Sequence, residues 1–181
     1  MEQTRLFTPA KICTGAMLLA TGILLPQVFH MIGGTSTGGM FLPMHIPVLL
    51  GGILLGPVYG AILGAFCPAF SFLLTGMPPV LMLPFMVAEL IGYGVVAGLM
   101  QKKYGNVLLS LVSAQVVGRA VRALSLVVAS SLLGWNVPAA ASVLASVVTG
   151  LPGIVMQIIL IPAAVVLLRK AGYFDGGLEK K

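Results

Sequence analysis

Charge is what the chain has least of. Only 8% of its 181 residues are Asp, Glu, Lys or Arg, against 59% hydrophobic, and the mean hydropathy is +1.10. A soluble domain carries about 25% charged residues. A water-soluble fold is thereby excluded and an integral membrane protein is expected. Cysteine and histidine are nearly as scarce. Cys13 and Cys67 both stand in apolar context and read as small hydrophobes rather than as a disulfide or a metal site. With His30 and His45 they make no metal-ligand spacing. No G-x-x-x-x-G-K-[ST] phosphate loop is present, so ATP-driven work would need another chain. An enzyme would want a nucleophile with a base in reach, and neither histidine has an acid nearby in the sequence. No catalytic residue, metal or cofactor is assigned.

What the chain does have is apolar length. Spans of about 20 residues fit about six times, leaving no room for a soluble domain among them. The stretch from Pro43 to Met86 holds no group charged at neutral pH apart from His45, and it is punctuated by Gly51, Gly52, Gly56, Pro57, Gly60, Gly64, Pro68 and Pro78. Small residues let helix backbones approach closely in lipid, so this hairpin is expected at the packing centre.

In order, the expected spans are 10–29, 44–58, 59–74, 80–100, 107–133 and 139–168, one all-α membrane domain over 1–181. The short polar start followed by 12–29 reads as a first span rather than a removable signal peptide. Residues 30–42, with four glycines and three hydroxyl side chains, read as a flexible loop that could act as a lid, with Gly38 and Gly39 as its candidate contacts. Pro152 and Pro162 should kink the sixth span. Placing the N-terminus in the cytoplasm puts Arg5, Lys11, Lys102, Lys103, Arg169, Lys170, Lys180 and Lys181 all inside. The three outer loops then carry no Lys or Arg, as the positive-inside rule requires. Both termini are therefore expected to be cytoplasmic, and the net charge of +6 needs no nucleic acid.

Three ionisable residues fall inside spans: Glu89, Arg119 and Arg122. Each costs about 2.5–3.5 kcal/mol near a helix centre on insertion scales, so each should face a cavity or a partner. Arg119 and Arg122 share a face of span 5, which Gln115 joins. Pairing Glu89 with one arginine leaves one positive charge over, which water, a carbonyl or an anionic ligand could meet. Tyr93, four after Glu89, is a pocket wall or ordinary packing. Ser142, Ser146, Thr149, Gly153 and Gln157 share one face of span 6 and read mainly as packing, except at the outer part near Trp135 and Asn136. The binding candidates are thus Glu89, Tyr93, Gln115, Arg119, Arg122, Asn136, Ser146, Thr149, Gly38, Gly39 and His45. Ala16 and Ala20, four apart on span 1, make a small-residue contact strip.

The runs PMHIPVLLGGILLGPVYGAILG, FLLTGMPP and PFMVAELIGYGVVAGL resemble the substrate-binding S components of energy-coupling factor (ECF) transporters, the vitamin importers of bacteria and archaea. The resemblance covers nearly the whole chain and looks nearest to the pantothenate and the pyridoxine or hydroxymethylpyrimidine branch. It implies a multi-pass plasma-membrane protein that binds a small water-soluble vitamin near its outer side with spans 4, 5 and 6, with loop 1 as lid. It implies partners: a T-type transmembrane scaffold and two ABC-type ATPases, relative to which the S component topples in the membrane. Ala16 and Ala20 match the family's A-x-x-x-A strip, which contacts the scaffold, and Glu89 and Arg119 fall near its pocket positions. Pantothenate suits the surplus positive charge, with Arg119, aided by Arg122 or Gln115, expected on its acidic part and Glu89 positioning an arginine or accepting a ligand hydroxyl. Pyridoxine or hydroxymethylpyrimidine would instead turn Glu89 toward a ring nitrogen or hydroxyl. A stand-alone secondary transporter or channel subunit would show inverted repeats, and residues 1–90 and 91–181 are not convincingly alike.

Overall fold

A computed structural model of the chain describes residues 7–132, 134–139 and 141–172, the side chain of Thr35 excepted. Seven helices make up its regular structure: α1 (Pro9–Phe41), α2 (His45–Leu55), α3 (Pro57–Thr75), α4 (Leu83–Tyr104), α5 (Val107–Ser131), α6 (Ser142–Thr149) and α7 (Leu151–Lys170). Six helical stretches are long and apolar enough to cross a membrane: Pro9–Gly34, Ser36–Leu55, Pro57–Thr75, Leu83–Tyr104, Val107–Ser131 and Leu151–Lys170. The expected all-α, six-span architecture is present. Lipid offers the backbone no hydrogen bonds, so each crossing must satisfy its own amides, as a helix does. Local signals set the starts. Thr8 Oγ1 accepts from the Lys11 amide at 3.3 Å and Asn106 Oδ1 from the Leu109 amide at 3.1 Å, while α1, α3, α4 and α7 carry proline in their first turn.

Two expectations need correcting. Residues 30–42 are not a loop. The first span continues to Gly34, and residues 36–41 form a further helical stretch that leads into α2, so the second span begins at Ser36 rather than Met44. The break between them is confined to Gly33 and Gly34. Gly34 has φ 70 and ψ −169, a conformation only glycine takes readily. The hydroxyls of Ser36 and Thr37 donate to the Gly33 carbonyl at 3.3 and 2.7 Å. The glycine content that reads as a loop in water loses to the demand for paired backbone groups in a membrane. The expected sixth span is likewise two helices. Gly150 separates α6 from α7, and Pro152 sits in the first turn of α7, where it starts a helix, while only Pro162 lies inside one.

Helix α4 packs along α3 and α5 and also against α2. In its seam with α3, Gly60 faces Gly94, Gly64 faces the Leu90–Ile91 backbone, and Gly98 faces Gly56 and Pro57. A Cβ on Gly60 would lie 2.8 Å from Gly94 Cα, and one on Gly94 would lie 2.7 Å from Gly60 Cα. The two backbones touch, as small-xxx-small pairs allow. The adjoining core joins Val48, Leu49, Leu63, Leu90, Tyr93 and Ile161. A single residue, Gly56 at φ 102, turns α2 into α3. Outward-facing Met17, Leu24, Leu73, Leu124 and Ile159 stay exposed, as a lipid-facing belt should. Lys11, Lys102, Lys103, Arg169 and Lys170 fall at one end of the six crossings. By the positive-inside rule that end is cytoplasmic. Arg5, Lys180 and Lys181, which the same count uses, lie outside the described residues.

Candidate functional site

The three charges inside spans meet. Glu89 stands seventh in α4, about 9 Å along the helix from Leu83 at 1.5 Å per residue, and is wholly buried. Arg122 Nη1 donates to Glu89 Oε2 at 2.9 Å. Arg119 Nη1 lies 3.0 Å from Oε1, a charge contact without hydrogen-bond alignment. One carboxylate is therefore shared by two guanidiniums, which three-residue spacing places on one face of α5. One positive charge remains. Buried charges this deep are tolerated only when paired, and the pairing here is incomplete. Nε and Nη2 of Arg119 and Nε of Arg122 are buried and find no hydrogen-bond acceptor among the described residues.

The two arginines are not equivalent. Arg119 is turned toward the gap between α6 and α7. It donates to Ser146 Oγ at 3.3 Å, and its Nη2 is 3.6 Å from where a side chain at Gly150 would begin. Arg122 keeps 28% of its side chain exposed and, with Glu89, lines a cavity of about 200 Å³ at the outer side. His30, Gly38, Gly39 and Leu42 of the first hairpin face the same cavity, with His45, Ser71, three methionines (Met44, Met77, Met86) and four prolines (Pro26, Pro43, Pro78, Pro79). The fold thus puts Glu89 and both histidines, far apart in the sequence, on the lining of one cavity. His45 is buried, its ring packs edge-on to Tyr93 at 4.9 Å, and neither imidazole nitrogen has a hydrogen-bond partner among the described residues. No Phe, Tyr or Trp is among the lining residues.

Of the sequence candidates, Glu89, Arg122, His45, Gly38 and Gly39 share this cavity. Arg119 and Ser146 lie behind it. Tyr93 and Gln115 form a polar chain beside it, Tyr93 Oη donating to Gln115 Oε1 at 3.3 Å. Two candidates stand apart. Thr149 is exposed and its hydroxyl donates to the carbonyls of Ala145 and Ser146. Asn136 is exposed in a separate open groove with Trp135, Val80, Leu81 and Pro84. The connection from α3 to α4 separates that groove from the cavity, contributing Pro79 to one and Val80 to the other. Ala16 and Ala20 are both exposed on α1. Ser71 and His30 also line the cavity, and a lone hydroxyl and a lone histidine in an apolar run carry no spacing signal that would single them out. No group of three or more His, Cys, Asp or Glu able to hold a metal occurs among the described residues.

Searches of curated proteins and of solved structures return no match. A family model does match. The ECF transporter, substrate-specific component model covers residues 10–165, nearly every residue of the six crossings and the whole of the shared-carboxylate site. The chain belongs to the ECF transporter substrate-specific component family, and is a membrane transport subunit rather than an enzyme.

Proposed function

We propose that the protein captures a small water-soluble vitamin from the outer side of the plasma membrane of a bacterium or archaeon, and that the vitamin is pantothenate. The observation that carries this reading is the outer cavity beside Arg122. Two guanidiniums share one carboxylate there, so a ligand carboxylate would meet the charge left over. An anionic aliphatic ligand also suits walls rich in methionine and proline, in which the imidazoles of His30 and His45 are the only aromatic rings. In this reading Arg122 takes the ligand carboxylate, His45 supplies an unused hydrogen-bonding nitrogen for a ligand hydroxyl, and Arg119 holds Glu89 from behind. Gly38 and Gly39 close over the ligand. Two partner ATPases and a T-type scaffold drive its release inside.

Calorimetric titration of the detergent-purified protein tests this. Pantothenate is expected to bind saturably and tightly. Pyridoxine, hydroxymethylpyrimidine, thiamine, riboflavin, biotin and folate should give no comparable heat. In Arg122→Met the pantothenate affinity should fall about 10- to 100-fold, the worth of a hydrogen bond to a charged group. Tight binding of an aromatic vitamin instead, or an unchanged affinity in the variant, would overturn the assignment.

The exposed Ala16 and Ala20 strip is the scaffold contact in this reading. Ala16→Trp and Ala20→Trp point into open space rather than into the bundle. They should leave ligand affinity within about twofold while uptake by the whole complex falls to background, because bulk prevents close helix approach. Uptake at the wild-type rate would remove the strip from the interface.

A further inference from the structure

Gln157 is wholly buried in α7 and does not line the cavity. Both ends of its amide are used. Its Oε1 accepts from Gln115 Nε2 at 2.6 Å, and its Nε2 faces the carbonyl oxygen of Leu42 at 3.4 Å, donating to it. Gln115 in turn accepts from Tyr93. Three donors in series point the same way, from α4 through α5 and α7 to the end of the 36–41 helical stretch. An amide inside a membrane is costly unless it is bonded, so the chain constrains all four of its members.

The place where it ends is strained. Leu42 has φ 50 and ψ 47, the one positive φ outside glycine among the described residues. A left-handed conformation costs an ordinary residue about 1–2 kcal/mol and persists where surroundings over-determine it. Those surroundings are α7 and the Gly150 cap before it. A Cβ on Gly153 would lie 2.6 Å from the Phe41 carbonyl carbon and 2.8 Å from the Met40 oxygen, and one on Gly150 would lie 3.0 Å from Leu42 Cδ1. Gly150, Gly153 and Gln157, spaced three and four apart, share one face. The two glycines admit the segment and the glutamine bonds its last carbonyl. The same segment contributes Gly38, Gly39 and Leu42 to the cavity wall.

We propose that Gln157 is a positioning residue that seats residues 36–42 over the outer cavity, acting through the Leu42 carbonyl and tying that seat to Tyr93 and, through it, to His45. The proposal rests on the cavity being the binding site, but its test needs no ligand. Spin labels are placed at Gly39→Cys, where the added side chain meets nothing within 4 Å, and at Val80→Cys, 68% exposed on the α3–α4 connection. The background is Cys13→Ser, Cys67→Ala, in the full chain in lipid nanodiscs. The label distance is then measured by pulsed electron resonance.

In Gln157→Leu a second, displaced population is expected, with its share relative to the seated one raised about fivefold, the effect of one hydrogen bond. Gln101→Leu is the control. Gln101 is a buried amide bonded to Ser110 at 3.1 Å, and its loss should leave the distance distribution unchanged. Should the leucine variant fail to fold, Gln157→Asn keeps the amide but cannot reach both partners, and the same displaced population is expected. An unaltered distribution in the variant that folds, or equal broadening in the Gln101 control, overturns the proposal. Pantothenate binding is read separately, by calorimetry on the unlabelled protein, so that a failure of the vitamin assignment leaves the seat standing.

Discussion

Glu89→Ala should be among the most destabilising single substitutions in the chain. The carboxylate is wholly buried and lies within 3.0 Å of both Arg119 and Arg122. Deleting it strands two guanidiniums at membrane depth, and breaking a buried pair by removing one partner costs about 3–5 kcal/mol. Removing an arginine as well should restore part of that loss, because one stranded charge costs less than two. Glu89→Ala/Arg122→Met is therefore expected to melt higher than Glu89→Ala alone. Thermal melting in detergent, followed by loss of monodisperse protein, reads both. If Glu89→Ala melts within about 2 °C of wild type, an amount of at most about 1 kcal/mol, water or lipid headgroups satisfy the arginines and the shared carboxylate is not what holds α4 to α5. If the double variant melts no higher than the single one, the loss comes from packing rather than charge.

Gly60→Leu and Gly94→Leu should each separate α3 from α4. A side chain at either position starts within 2.8 Å of the facing glycine's Cα. The obstruction is backbone, which cannot rotate away as a side chain can, so the usual 1–3 kcal/mol of overpacking is a lower bound. Because α4 carries Glu89 and Tyr93 into the site, the same shift would part the carboxylate from both arginines. Neither variant is expected to give a monodisperse peak in size-exclusion chromatography, whereas Gly39→Ala, with nothing within 4 Å, should behave as wild type. A well-behaved, ligand-binding Gly94→Leu would mean that the seam opens at little cost and is not the frame of the bundle.

The site divides into parts the sequence makes legible and parts it does not. Arg119, Arg122 and Gln115 can be put on one helix face from spacing alone, and Glu89 stands out because a charge inside an apolar span has few innocent explanations. Which arginine turns to the cavity does not follow from that. Both lie on the same face, and the choice is made by α6 and Gly150, which draw Arg119 toward Ser146. Gln157 reads as one more position on a packing face. Its bonds to Gln115 and Leu42 span 42 and 115 residues of sequence, a reach no local periodicity reports. Trp135 and Asn136 are placed near the pocket by their position at an outer turn, yet they sit in a groove of their own because the α3–α4 connection runs between.

The sequence by itself determined the solvent, the number of crossings and their sides. Those follow from composition, from the length of apolar runs and from where Lys and Arg fall, quantities that add along the chain without reference to its packing. It also determined that charge would be buried, since Glu89, Arg119 and Arg122 lie too far from any span end to escape. Only the tertiary structure decided how that charge is shared, that residues 36–41 are helical, and where the last span breaks at Gly150. Each depends on contacts between helices distant in sequence. In a medium that offers no hydrogen bonds, such contacts, rather than the propensities of glycine, serine and threonine, decide what a polar or flexible stretch becomes.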